Sequence, residues 1–153
     1  MLTEGSKAPA FFVMDEEGNK ISSKDLKGHK YVIYFYPRDN TPGCTKEACS
    51  IRDDHSAFKK LKIPVFGVSK DTATSHKKFK EKFKLPFPLL MDEDGKLIES
   101  FGAWGEKSMY GKKYMGILRC TFIVDEKGKI EKVFEKVKVA EHAQEILDYL
   151  KTN

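Results

Sequence analysis

Two apolar runs, "KYVIYFYP" at 30–37 and "IPVFGVS" at 63–69, show no alternation of apolar and polar side chains. A strand wetted on one face alternates. Unbroken β-branched and aromatic runs are expected of strands covered on both faces, as in a sheet flanked by helices. Between the runs, residues 42–61 read as a helix, and a second helix is expected over 72–83, opened by Asp71. "PFPLLMD" (86–92) reads as a short strand and "DGKLIESFG" as a short helix. Upstream, "AFFVMDEEGNKIS" gives two short strands around Glu17-Gly18-Asn19. Downstream, a Gly- and Lys-rich loop is expected from Gly102 to Gly116, then a hairpin over 119–135 turning at 126–129. Residues 139–151 close as an amphipathic helix with Ala140, Ala143, Ile146, Leu147 and Leu150 on its apolar face. The order predicts an α/β architecture: a mixed central β-sheet flanked by helices, behind an N-terminal β-hairpin. No repeat or Pro/Gly-rich linker divides the 153 residues, so a single domain over 1–153 is expected.

Charge narrows the function classes. The net charge is +5, from 28 Lys and Arg against 23 Asp and Glu. Only Arg38, Arg52 and Arg119 are arginines, and the lysines are interleaved with acids. That is a solvated mixed-sign surface rather than the clustered basic stripe of a nucleic-acid partner. No apolar run approaches the roughly 20 residues of a membrane span. The first residues lack the basic and apolar regions of a signal peptide, so a cytoplasmic location is expected. Three cysteines, an odd number, do not make a secreted disulfide framework.

Two of those cysteines lie in "RDNTPGCTKEACS" (38–50). Thr41 suits an N-cap and Pro42 the first helical position, which needs no N–H. Cys44 then falls in the first helical turn, at the positive end of the dipole, a place where thiols are acidified. Helical spacing puts Cys44 on the stripe of Ala48, Ile51, His55 and Phe58, while Cys49 shares the polar stripe of Thr45, Arg52 and Ser56. Structural zinc favours cysteines with two to four residues between them and a second pair elsewhere; here four intervene, the two diverge on a helix, and no second pair exists. His55 and His76 sit on apolar helical faces and read as satisfied core-edge histidines. The spacing is also wrong for the C-x-x-C of a dithiol oxidoreductase. Two inert buried thiols are the remaining reading, weaker for Cys44 behind its Pro-Gly lead than for Cys120.

Pro37, Thr41 and Cys44 spell P-x-x-x-T-x-x-C, and "YFYPRDNTPGCTKEAC" resembles the peroxiredoxins of the Q type, the bacterioferritin comigratory protein group. The similarity continues through "VSKDTATSHKKFKEKFKLPFPLLMD", "WGEK…MYGKKYMGI" and "RCTFIVDEKGKI". The resemblance implies a thioredoxin-like fold and a peroxidase for hydrogen peroxide and organic hydroperoxides. It needs no metal or organic cofactor, is recycled by thioredoxin or a similar dithiol, and acts as a monomer or weak dimer. It further implies Cys44 as the peroxidatic and Cys49 as the resolving cysteine, joined as a disulfide in turnover. Thr41 would hydrogen-bond thiolate and peroxide, Pro42 would shield them from water, and Arg119 would be the cationic partner. A sensor or holdase on the same fold, or a general dithiol oxidoreductase, are the alternatives that peroxide consumption separates.

Ionisation alone cannot account for such an enzyme. A thiol of pKa about 8.5 is about 3% thiolate at pH 7 and one of pKa about 6 roughly 90%. The roughly thirtyfold gain is partly offset by lower nucleophilicity. Positioning and charge stabilisation must supply the rest. In an extended strand Arg119, Thr121 and Ile123 share one face and Cys120, Phe122 and Val124 the other. Cys120 is therefore expected to be a core thiol if Arg119 points to the site, and Trp104 either walls the site or covers the core.

Overall fold

The computed structural model describes residues 1–152. Its centre is a five-stranded sheet of β3 (Tyr31–Phe35), β4 (Val65–Ser69), β5 (Leu89–Met91), β8 (Cys120–Val124) and β9 (Ile130–Phe134), in the order β5-β4-β3-β8-β9. β3, β4 and β5 run parallel, while β8 runs antiparallel to both its neighbours, β3 and β9, so the sheet is mixed. All five residues of β3 and β4 are buried, as the unbroken apolar runs require, and so are all five of β8.

Alternation along these strands sorts side chains into two cores. On one face Val32, Tyr34, Val65 and Ile123 pack against α2 (Pro42–Asp53), α3 (His55–Lys60), α4 (Ala73–Phe83) and α6 (His142–Thr152). On the other, Tyr31, Ile33, Phe35, Cys120, Phe122 and Val124 pack against α5 (Lys96–Ser100) and Phe101. Gly67 in β4 permits the first packing, since a Cβ there would lie 2.9 Å from the Tyr34 ring and hydroxyl. The N-terminal hairpin pairs β1 (Phe12–Met14) with β2 (Lys20–Ser22). Asp15 closes its turn by accepting from the N–H groups of Glu17 and Asn19, each at 2.9 Å. The single-turn α1 (Ser23–Leu26) follows.

Four local expectations are corrected. The helix over 42–61 is two helices, because Asp54 leaves the helical region at φ −108°, ψ 13°. Aspartate competes with the backbone for hydrogen bonds and is a poor interior helix former. Thr72, rather than Asp71, caps α4 by accepting from the Ser75 N–H, and Asp71 is spent on Ser69 and Asp39. The last helix begins at His142, leaving Ala140 exposed. The expected loop from Gly102 to Gly116 contains a hairpin of β6 (Trp104–Met109) and β7 (Lys112–Ile117). Tyr110 and Gly111 turn it with φ of 52° and 80°, the paired positive values of a tight two-residue hairpin turn. Trp104 in β6 packs against the second core and lies under Lys70 Nζ at 4.8 Å, so it covers the core.

Candidate active site

The site forms where α2 starts above the sheet. Thr41 is extended (φ −93°, ψ 156°), Pro42 occupies the first turn, and Cys44 follows, 2% exposed. Arg119 stands immediately before β8, on the face of Thr121 and Ile123, and so beneath α2. Its Nη2 donates to the Cys44 sulfur at 3.3 Å and its Nη1 to Glu47 Oε1 at 2.6 Å. Cys44 and Glu47 lie three residues apart on one helix, close enough for a single guanidinium fork to span both. Gly43 leaves the space: a Cβ there would be 3.2 Å from Nη2.

Glu47 is fully buried, and burial pushes its carboxyl up to about 7 against the opposing pull of Arg119. Burial works against the Arg119 charge too, but Glu47 and Cys44 outweigh it and raise its pKa. His142 lies behind Glu47, with Nε2 3.8 Å from Oε2 and 2.6 Å from Thr121 Oγ1. Its Nδ1 lies 3.2 Å from Glu145. Burial lowers the His142 pKa and favours the neutral ring. The consistent assignment has Nδ1–H donating to Glu145 and the Thr121 hydroxyl donating to Nε2, which leaves Glu47 Oε2 buried without a partner among the described residues.

The Thr41 hydroxyl is turned elsewhere than expected, while Cys120 and His76 are placed as expected. The Thr41 hydroxyl donates to the Arg38 carbonyl at 2.9 Å and makes no hydrogen bond to Cys44. Because it does not cap the helix, the N–H groups of Gly43 and Cys44 have no partner among the described residues. Pro42 is exposed, and its place at the helix start fits the missing N–H. Cys49 is half-buried, and all three cysteines are free thiols. Cys120 is fully buried opposite Phe35, and burial pushes its thiol up to about 12. His76 is a satisfied core histidine, with Nδ1 2.7 Å from Asp39 and Nε2 3.0 Å from the Leu90 carbonyl. His55 is half-buried beside Phe87.

Glu47 escaped the sequence reading. Its only signal was a carboxylate at the edge of the apolar stripe of Cys44 and Ala48. The β6–β7 hairpin also borders the site: Lys107 donates to the Ile117 carbonyl at 2.9 Å and is near enough to feel both Arg119 and Cys44. Burial first, then Arg119, lowers the Lys107 pKa, while Cys44 works in the other direction.

The profile of the AhpC/TSA family matches residues 5–133. The chain belongs to this family of peroxiredoxins. It is 48% identical over 147 residues to peroxiredoxin Bcp of Bacillus subtilis, covering 96% of this chain and 94% of that one. Peroxiredoxin Bcp of Escherichia coli K12 is 43% identical over 150 residues, with 98% and 96% covered. Among solved structures, the bacterioferritin comigratory protein of Xanthomonas campestris, described for its alkyl peroxide reduction activity, superposes with a TM-score of 0.90. It is 36% identical and covers 98% of both chains. The thioredoxin-like peroxiredoxin fold and the thiol peroxidase class follow for this chain. No helix among the described residues is long and apolar enough to cross a membrane.

Proposed function

We propose that this peroxiredoxin reduces hydrogen peroxide and organic hydroperoxides through a sulfenic acid at Cys44 and a Cys44–Cys49 disulfide, recycled by a dithiol of the thioredoxin type. The observation that carries the reading is the Arg119 fork, which brings a fixed cation to the buried Cys44 sulfur. The thiolate attacks the terminal oxygen of the peroxide, the O–O bond breaks as the S–O bond forms, and the leaving alkoxide or hydroxide takes a proton from water. Arg119 and the unpartnered N–H groups of Gly43 and Cys44 stabilise that leaving charge. Thr41, its own proton committed to Arg38, accepts from the peroxide O–H.

The Cys49 thiol then condenses with the sulfenic acid, releasing water and forming the disulfide. The external dithiol reduces this bond and leaves as a disulfide itself. A core thiol such as Cys120 takes no part.

The test follows peroxide consumption with thioredoxin, its reductase and NADPH, with the thiols mapped by mass after one equivalent of peroxide. The expected result is turnover, with Cys44 and Cys49 joined and Cys120 free. Cys44→Ser should be inactive, and Cys49→Ser should react once and then overoxidise at Cys44. Near-parental turnover by Cys44→Ser, or a first disulfide that includes Cys120, would overturn the reading.

A further inference from the structure

The buried polar cluster around Asp39 touches none of the reacting atoms, yet it holds the segment that leads into the active-site helix. Asp39 lies between β3 and α2, its side chain 3% exposed. Its Oδ1 accepts from the Tyr36 hydroxyl at 2.6 Å. Its Oδ2 accepts from the Ser75 hydroxyl at 2.8 Å and faces His76 Nδ1 at 2.7 Å. Its N–H donates at 2.9 Å to Asp71, which also accepts from Ser69 at 2.6 Å. One residue is thus tied to the ends of β3 and β4 and to α4.

The hydrogen-bond pattern places a proton on one ring nitrogen of His76. The Leu90 carbonyl can only accept, so Nε2 carries a proton. Nδ1 faces Asp39 Oδ2 at 2.7 Å, and a proton on Nδ1 makes the contact charge-assisted. Burial opposes that charge, but the bond to Asp39 and its charge, with the Leu90 carbonyl, raise the His76 pKa overall. A fully buried charge-assisted bond of this kind is costly to break one side at a time.

Beyond the clamp the chain is less constrained. Asn40 has φ 59°, Thr41 makes no cap bond, and Pro42 and Gly43 open the helix. Residues five apart on an intact helix have Cα atoms roughly 8.6 Å apart, whereas a disulfide needs about 4.4–6.8 Å. Forming the Cys44–Cys49 bond therefore requires α2 to open locally.

We propose that the Asp39–His76 pair is a positioning clamp that fixes the N-terminal side of the peroxidatic segment, so that α2 opens only beyond Thr41 and closes back in register for the next peroxide. His76 and Asp39 are positioning residues, and the proposal rests on the two-cysteine cycle above. The closed helix is needed for peroxide attack and the open one for the disulfide. Loosening the clamp shifts the balance from the first to the second.

The experiment measures two rate constants in the full chain, sulfenic acid formation and the following disulfide formation, for the parent, His76→Leu and Tyr36→Phe. In His76→Leu the first should fall about tenfold while the second stays equal or rises, so that less Cys44 overoxidises at high peroxide. Tyr36→Phe, which removes the hydroxyl that donates to Asp39 and leaves the His76 contact in place, should shift the ratio in the same direction by less. If His76→Leu does not fold, Tyr36→Phe decides on the same ratio. Folded variants with both rates near parental, or both reduced by one common factor, would overturn the clamp. A parent that forms no Cys44–Cys49 disulfide would instead overturn the cycle itself.

Discussion

Arg119 Nη2 lies 3.3 Å from the Cys44 sulfur although the two residues are 75 positions apart. The contact joins a helix start to a strand start. Arg119 also holds Glu47, so the cation is aimed by a buried carboxylate rather than free to follow solvent.

Replacing Arg119 with Met should slow the peroxide step by more than any loss of thiolate explains. Removing one preorganised charge donor from such a site costs on the order of a hundredfold. The measurement is the rate of Cys44 oxidation against pH for both proteins. Equal plateaus at high pH would confine Arg119 to promoting ionisation.

Gly43→Ala tests the space under the guanidinium. The added methyl would sit 3.2 Å from Nη2, so the guanidinium must give by a few tenths of an ångström. Ala is also a better helix residue than Gly by up to about 1 kcal/mol. The expected variant is as stable as the parent or more so, with a peroxide rate lower by about tenfold. A thermal scan beside stopped-flow kinetics checks it, and an unchanged rate would show that Arg119 tolerates displacement.

Glu47 should leave a mark on the stability–pH curve. Its folded pKa of about 7 stands above the ordinary value of 4.5 because of burial, with Arg119 opposing. Between those values the folded state binds more protons than the unfolded one, so this residue's contribution to stability declines as pH rises from 4.5 to 7. Glu47→Gln removes that decline. Denaturant unfolding of both proteins across the window should show the parent losing ground to the variant with rising pH. Parallel curves would contradict it.

Disulfide formation should unwind the start of α2. Both cysteines lie inside that continuous helix as free thiols. Hydrogen exchange should show amides 44–50 losing protection on oxidation, while β3, at the sheet centre, changes little. Unchanged protection in protein proven to carry the Cys44–Cys49 bond would rule out the opening step.

Much of this was legible in the sequence, and the reasons are local. The unbroken runs at 30–37 and 63–69 required a sheet covered on both faces. Thr41-Pro42 fixed the helix start and so the place of Cys44 in its first turn. The strand period of two sent Arg119 to one face and Cys120 to the other, and the two cores divide along that line.

Tertiary structure decided what local periodicity cannot carry. The β6–β7 hairpin stands largely in water on both sides, from Ser108 to Met115, so no apolar alternation marks it. Glu47 reads as an ordinary helix carboxylate until a guanidinium 72 residues away makes it the buried partner of the site. His76 was readable as a satisfied core histidine. Its partner, Asp39, 37 residues earlier, became known only when folding brought the ends of β3 and β4 against α4. Pairings over such distances depend on which surfaces the sheet brings together, and the burial that gives them their strength exists only once it has done so.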